Sequence, residues 1–193
     1  MALIDFINHG ILPFTGREQT ARRILEAVGR IAEAPGLHAM LMTGEAGAGK
    51  SRLIEEAIRR AEDSGVAVIH AKLYPESPTA IAPMLGGALW RYSMAHPTIN
   101  VDADETLPSV AAALRRLSRL RRLLLVLEDI HLITGEGVAQ LALLLQGLSG
   151  EQMVLLSAAR PVEIPVRGVL EPHLVDEFPL PPLDRDDLRE LWG

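Results

Sequence analysis

Residues 44–51 read GEAGAGKS, and this octapeptide decides how the rest of the chain is interpreted. Gly44, Gly49, Lys50 and Ser51 satisfy the pattern G-x-x-x-x-G-K-[ST] of a phosphate-binding loop. Glycines in such a loop let the backbone curl so that successive N–H groups surround an anion. The lysine of this pattern reaches the β and γ phosphates, and the last hydroxyl is a ligand for Mg²⁺. The stretch therefore predicts a site for ATP or ADP together with Mg²⁺.

The segments on either side of this loop have the order that the motif requires. Residues 38–43 form a short apolar run that indicates a buried strand, and residues 50–61 carry apolar side chains at helical spacing. A helix starting there would direct the positive end of its dipole at the phosphates. We therefore expect the nucleotide to contact Gly44, Glu45, Ala46, Gly47, Ala48, Gly49, Lys50, Ser51 and Arg52.

Strands and helices alternate along the rest of the chain. Further strands are predicted at residues 66–73, 123–127, 153–157 and 175–178. This alternation is typical of an α/β fold with helices on both faces of the sheet. We predict a three-layer α/β/α P-loop NTPase core over residues 14–180, with a mainly parallel five-stranded sheet. The helices are expected near residues 17–31, 50–61, 84–92, 107–120 and 138–148.

Composition excludes several other classes of protein. The 193 residues carry a net charge of −6, which argues against a broadly basic surface for nucleic acid. The absence of cysteine excludes disulfides, thiolate metal sites and cysteine nucleophiles. No segment approaches the roughly 18 apolar residues that cross a bilayer. The first residues also lack the basic start of a signal peptide. These features favour a cytoplasmic protein without a membrane partner.

A second candidate feature is the run LLLVLED at residues 123–129. A buried strand that ends in carboxylates places them at the carboxyl edge of the sheet, where open α/β sheets bind ligands. A P-loop NTPase needs an acid there for Mg²⁺, and hydrolysis needs a group that orients water. Glu128 and Asp129 are the candidates for these two tasks. The sequence leaves open which of them contacts the metal.

Weaker signals come from single residues and from one charged helix. Arg160 follows the predicted strand 153–157 and would reach the same edge of the sheet, although a lone arginine is more often a surface residue. His131 is either a polar contact near the nucleotide or a structural histidine. The arginine-rich stretch 115–122 is a solvated helix face or a surface for self-assembly or a partner protein.

Taken in order, five segments resemble one family of ATPase domains. The pattern is similar to the AAA/STAND group found in large LuxR-type transcriptional activators and in cyclase- or kinase-linked regulators. Related AAA domains occur in origin-recognition proteins. The matching segments are FTGRE at 14–18, GEAGAGKS at 44–51, LLVLEDIH at 124–131, ARP at 159–161 and LPPLDRDDLREL at 180–191.

The resemblance implies further roles for particular residues. Arg17 would lie on the adenine side of the nucleotide, and Arg160 would sense the γ-phosphate. Residues 181–193 would begin a helical lid that is truncated here, and residues 1–13 would be a lead-in to the core.

The chain also departs from the family's pattern. Glu128 stands where an aspartate is usual, Leu132 replaces a frequent tryptophan, and Ala158 replaces a polar residue. These changes affect hydrolysis more than binding.

The resemblance therefore implies a nucleotide-dependent regulatory switch with slow ATP hydrolysis. Two alternatives remain open at this point. A P-loop small-molecule kinase would need an acceptor pocket, which residues 74–100 could form, and a mobile basic lid. A non-hydrolysing scaffold would keep the nucleotide site without turnover.

Overall fold

A five-stranded parallel sheet forms the centre of the domain. The computed structural model describes residues 17–30, 36–75, 80–99, 101, 103–161 and 164–182. The lead-in at 1–13, the start of the FTGRE box and the lid residues from 183 onward lie outside the described residues. The strands are β1 (Leu37–Gly44), β2 (Ala67–Lys72), β3 (Leu123–Glu128), β4 (Met153–Ala159) and β5 (Leu174–Leu180).

The strand order within this sheet is β2-β3-β4-β1-β5. Every neighbouring pair runs parallel, so the sheet is parallel throughout rather than mainly parallel. All residues of β3 and β4 are buried, because helices cover both faces of these central strands. The carboxyl ends of the five strands consequently meet at one edge.

Helices cover both faces of the sheet. Side chains of the first two helices pack with one set of alternate strand residues, and those of the next three pack with the other set. This arrangement confirms the predicted three-layer α/β/α class. The helices are α1 (Glu18–Arg30), α2 (Lys50–Asp63), α3 (Ile81–Ala95), α4 (Leu107–Leu120), α5 (Glu136–Leu148) and the short α6 (Arg167–Leu170).

The sequence pattern missed three short elements. Two are 3₁₀ turns, Ile130–Leu132 and Glu171–His173, and the third is α6. Each is three or four residues long, which is too short for a hydrophobic period to be read. Helix α3 is also longer than the predicted segment 84–92, since it extends by about a turn at each end.

No helix in the described part of the chain is both long enough and apolar enough to span a membrane.

Ser157 on β4 provides a test of the packing. Its side chain is fully buried, and its Oγ has no hydrogen-bond partner among the described residues. Ser157→Ala should therefore be neutral or slightly stabilising, because it removes an unpaired polar group. Leu155→Ala, two residues earlier on the same face, should cost about 2–5 kcal/mol of unfolding free energy. Urea denaturation of both variants checks this, and equal losses would mean that Ser157 makes a bond through a buried water.

Candidate functional site

The loop at residues 45–49 joins β1 to α2 and has a backbone that only glycine adopts easily. Gly47 and Gly49 have φ angles of 82° and 85°, in the left-handed region. A Cβ at Gly44 would lie 3.0 Å from the carbonyl oxygen of Leu180 on the adjacent strand. The glycines of the motif are therefore required by local backbone geometry and by the close approach of β5.

Lys50, the first residue of α2, lies over this loop. Its Nζ donates hydrogen bonds to the carbonyl oxygens of Gly44 at 2.7 Å and Glu45 at 2.9 Å. Burial lowers the pKa of Lys50, the charge of Asp129 opposes this shift, and Arg160 adds to it. Lys50, Asp129 and Arg160, which follow three different strands, therefore face one region.

A cleft of about 340 Å³ opens above the loop. This volume is within the range of roughly 300–1,000 Å³ that is typical of small-molecule sites. The cleft joins the end of β1 to residues that follow β3 and β4. Its lining residues are Ala46, Gly47, Gly49, Lys50, Ser51, Arg52, Asp129 and Arg160.

Glu128, the last residue of β3, is the buried acid of the site, with only 5% of its surface exposed. The hydroxyl of Ser51 donates a hydrogen bond to its Oε2 at 2.7 Å, and His70 Nε2 lies 2.7 Å from its Oε1. Burial by itself raises the pKa of Glu128, but these two hydrogen bonds and the charge of Lys72 outweigh it and lower the pKa. Glu128 is therefore held as a carboxylate, with Oε1 facing His70 and Oε2 facing Ser51 and Lys72.

Lys72, the last residue of β2, is paired in register with Glu128. Its Nζ lies 3.4 Å from Ser51 Oγ, 3.5 Å from Glu128 Oε2 and 3.8 Å from Asp129 Oδ2. One ammonium thus contacts the Ser51 hydroxyl and both of the acids that are candidates for the Mg²⁺ site.

Neither His70 nor Lys72 was predicted as a site residue. The chain has two lysines, Lys50 and Lys72, and only the first belongs to a motif. A signal was present, because Lys72 ends a predicted strand and would reach the carboxyl edge of a parallel sheet. Its proximity to Glu128 depends on β2 lying next to β3, which strand prediction does not provide.

Asp129 adopts a left-handed backbone, with φ 59° and ψ 37°. No other residue except glycine has a positive φ in the described part of the chain. Aspartate tolerates this conformation better than most residues, and such strain often marks functional sites. The change of backbone direction turns Asp129 into the cleft, whereas the preceding Glu128 stays buried beneath it. The two adjacent acids therefore have different environments.

Arg160 follows β4 and is connected to His131 in the turn after β3. The backbone N–H of Arg160 donates to His131 Nδ1 at 3.4 Å. Burial lowers the pKa of His131, Asp129 opposes the shift, and Arg160 and Lys50 reinforce it. A neutral imidazole is the form that can accept this bond. His131 is thus a polar contact that positions the start of the Arg160 segment.

Arg17 lies beside the loop rather than among the residues that line the cleft. Its Nη2 donates to the carbonyl oxygen of Pro181, and its Nε is buried without a hydrogen-bond partner among the described residues. A Cβ at Gly49 would be 4.0 Å from this Nε. Arg17 therefore bridges the side of the loop and the segment that follows β5.

The donor atoms at this edge suit Mg²⁺. Ser51 Oγ, Glu128 Oε2 and Asp129 Oδ2 are hard oxygen donors gathered around one point. The described residues contain no cluster of three or more His, Cys, Asp or Glu side chains that could hold a metal alone. Mg²⁺ commonly uses one or two carboxylates and takes its other ligands from phosphates and water.

One protein-family model matches most of the chain. The model of the AAA ATPase domain family matches residues 13–156, about three quarters of the chain. A sequence search of proteins with curated descriptions gives no significant match.

Solved structures with the same fold include proteins of DNA replication. The Aeropyrum pernix ORC1 protein, solved in complex with DNA, superposes with a TM-score of 0.60 at 21% identity, covering 93% of this chain and 48% of that one. Drosophila ORC bound to DNA gives 0.59 at 16% identity, with 95% and 47% covered. A DNA replication initiation factor gives 0.56 at 15%, with 91% and 49% covered. The chain thus spans about half the length of these proteins, and identities this low establish a shared fold alone.

Proposed function

The chain belongs to the AAA ATPase domain family, and we propose that its cleft binds ATP and ADP with Mg²⁺ and hydrolyses ATP slowly as a regulatory switch. The observation that carries this proposal is the 2.7 Å hydrogen bond from Ser51 Oγ to Glu128 Oε2. It connects the phosphate-binding loop to the acid at the end of β3, as a shared metal requires. A glycine turn without a ligand would not need this connection.

The environments of the two acids support a division of labour. Glu128 is buried and bonded to Ser51, so we assign it to the metal side of the nucleotide. Asp129 lines the open cleft, where an attacking water would lie, so we assign it to water orientation. Lys50 would move from the loop carbonyls to the β and γ phosphates. Bound Mg²⁺ would neutralise charge on those phosphates.

Slow turnover is proposed because the cleft offers little extra positive charge. Among the described residues that line it, the cations are Lys50, Arg52 and Arg160. Arg52 is hydrogen-bonded to Glu55 on its own helix at 3.2 Å. Arg160 is then the one guanidinium available for the γ-phosphate. Fast P-loop NTPases use an arginine finger worth about 10³ to 10⁵ in rate.

The proposed switch would act through two hydrogen bonds, each of which joins the site to a different segment of the chain. Arg160 is tied through its backbone to His131, beside Asp129. Arg17 is tied to Pro181, which leads into the residues expected to begin a lid. A γ-phosphate held between Arg160 and Asp129 would bias both segments, and its loss would release them.

A second cleft keeps the kinase alternative testable. It has a volume of about 540 Å³ and lies at the carboxyl end of β2, where an acceptor would be close to Glu128. Phosphate release from ATP measured with and without candidate acceptors separates the two functions. A kinase would transfer phosphate only when its acceptor is present. The cleft is lined by His70, Ala71, Lys72, Leu73, Tyr74, Ala80, Pro83, Met84, Gly87 and Arg91.

We propose that this part of the chain does not bind nucleic acid, although similar structures were solved with DNA. The net charge is −6. Some arginines of the stretch 115–122 are also already bonded to other groups of the domain. Arg115 donates to the Gly147 carbonyl, and Arg119 is paired with Glu151 at 2.9 Å. Self-assembly or a partner protein remains the proposed use of the rest of this face.

Lys50→Ala tests nucleotide binding. The variant loses a charge-assisted contact to phosphate worth roughly 1.5–3 kcal/mol, so ATP affinity should fall at least tenfold. Its melting temperature without nucleotide should change little, because the side chain bonds only the carbonyl oxygens of Gly44, at the end of β1, and Glu45. Isothermal titration with ATP and ADP measures this. Arg59→Ala, at the far end of the same helix, is the control, and equal ATP affinity for parent and Lys50→Ala would rule out the proposed site.

Conservative variants of the acids test their separate roles. Glu128→Gln should weaken the enhancement of ATP affinity by Mg²⁺ by about tenfold, since it removes a charge from the metal side. Asp129→Asn should bind ATP normally and lose turnover, and asparagine also tolerates the left-handed backbone. Binding with and without Mg²⁺ and phosphate release are measured on both. The reverse pattern would exchange the two assignments.

The rate of the isolated chain tests the regulatory role. Phosphate release should stay below about one per second, the low end of enzyme turnover. It should rise with protein concentration if residues 115–122 mediate assembly, and it should fall further in Arg160→Ala. Fast turnover that is independent of concentration and survives Arg160→Ala would contradict both the sensor role and the slow switch.

A further inference from the structure

Lys72 carries a positive charge at the point where the metal ligands converge. Its Nζ is within 4 Å of Ser51 Oγ, Glu128 Oε2 and Asp129 Oδ2. An ammonium and Mg²⁺ would both use Ser51 Oγ and Glu128 Oε2 as partners. Mg²⁺ binds oxygen at about 2.1 Å, so a metal at these two atoms would take the lone pairs that face Lys72, and the two positive charges would repel each other at this short range.

The hydrogen-bond partners of Glu128 show for which of its oxygens Lys72 and Mg²⁺ would compete. His70 occupies Oε1. Ser51 and Lys72 share Oε2, the oxygen that faces the loop. A metal bound between Ser51 and Glu128 would therefore displace Lys72 and leave His70 in place.

The neighbouring cleft offers an alternative position for the Lys72 side chain when it is displaced. About a third of its side chain is exposed, and it lines the 540 Å³ cleft at the carboxyl end of β2. A lysine side chain has a flexible four-carbon stem, so its charge can move several ångströms without a change in the backbone. The exchange needs no rearrangement of the sheet.

We propose that Lys72 is a built-in counter-cation that competes with Mg²⁺ for Ser51 Oγ and Glu128 Oε2, while it also lies against Asp129. It holds the acid edge together in the metal-free protein and supports nucleotide binding without metal. In exchange it weakens the affinity of the site for Mg²⁺, so that nucleotide binding depends less on the metal. This inference rests on the proposed nucleotide site for its second consequence, but the competition for the carboxylates stands without a nucleotide.

The first experiment uses Mn²⁺ as a probe for Mg²⁺ on the nucleotide-free chain. Binding is followed by loss of the electron paramagnetic resonance signal of free Mn²⁺. Lys72→Met should bind Mn²⁺ about fivefold more tightly than the parent, the scale of a partly exposed ion pair. Lys72→Gln, which has no charge but keeps polarity, should behave in the same way, whereas Lys72→Arg should stay nearer to the parent.

Arg91→Met is the matched control. Arg91 lines the same cleft and donates to the His70 carbonyl, but it does not contact the three oxygens. Its loss removes one positive charge from the neighbourhood and should leave Mn²⁺ affinity nearly unchanged. Equal Mn²⁺ affinity for Lys72→Met, Lys72→Gln and the parent would overturn the proposal. An equal gain in Arg91→Met would also overturn it, because the effect would then be general electrostatics.

The second experiment measures ADP affinity by titration with Mg²⁺ and with a chelator. Lys72→Met should show an increase of about fivefold in the ratio of the two affinities, mainly through weaker binding without metal. A parent that binds no ADP would refute the proposed function, while the Mn²⁺ result would still decide the competition. A parent that binds ADP, with a ratio unchanged in Lys72→Met, would refute the inference alone.

Discussion

The parallel direction of all five strands is the constraint on which the site depends. It brings the end of β1, the acid that ends β3 and the residue after β4 to the same edge, although they are far apart in sequence. The hydrogen bond from Ser51 to Glu128 spans 77 positions of the chain and lies at this edge. An antiparallel neighbour would have placed its terminal side chain at the opposite edge. The chemistry of the loop and of the acids therefore becomes one site through sheet direction.

The charge states of the titratable groups at this edge depend on which groups lie beside them. Glu128 is buried, yet hydrogen bonds and a nearby ammonium keep its pKa low, so that a carboxylate persists where burial disfavours one. Asp129 opposes the lowering of the pKa of Lys50 and His131. Lys50 and Arg160 line the cleft beside Asp129, and Lys72 lies against the two acids. Cations and acids from different strands therefore lie together at this edge.

The shared fold with replication proteins concerns the core alone. The chain corresponds to about half of those proteins, and its identity to them is 21% or less in the three comparisons given above. The features that recur are the sheet and its helices, which are determined by burial and hydrogen bonding. The Lys72 contacts are specific side-chain geometry of this chain, and the fold by itself does not imply them.

Much of the fold followed from the sequence alone, since strong local signals were present. The GEAGAGKS loop, the strands and the long helices were predicted from spacing and hydrophobicity, and the α/β class and the AAA family are confirmed. The sequence correctly put Lys50 and Ser51 at the start of the helix after β1, and Glu128 at the end of β3, because each belongs to a local pattern. Their functional roles stay predictions.

The sequence could not determine the order of the strands, because hydrophobic periodicity shows that a segment is buried but not which segment lies beside it. Only the tertiary structure put β2 next to β3, and with it His70 and Lys72 against Glu128. Only the tertiary structure also showed the left-handed turn at Asp129, which separates two adjacent acids into a buried and a cleft-facing one.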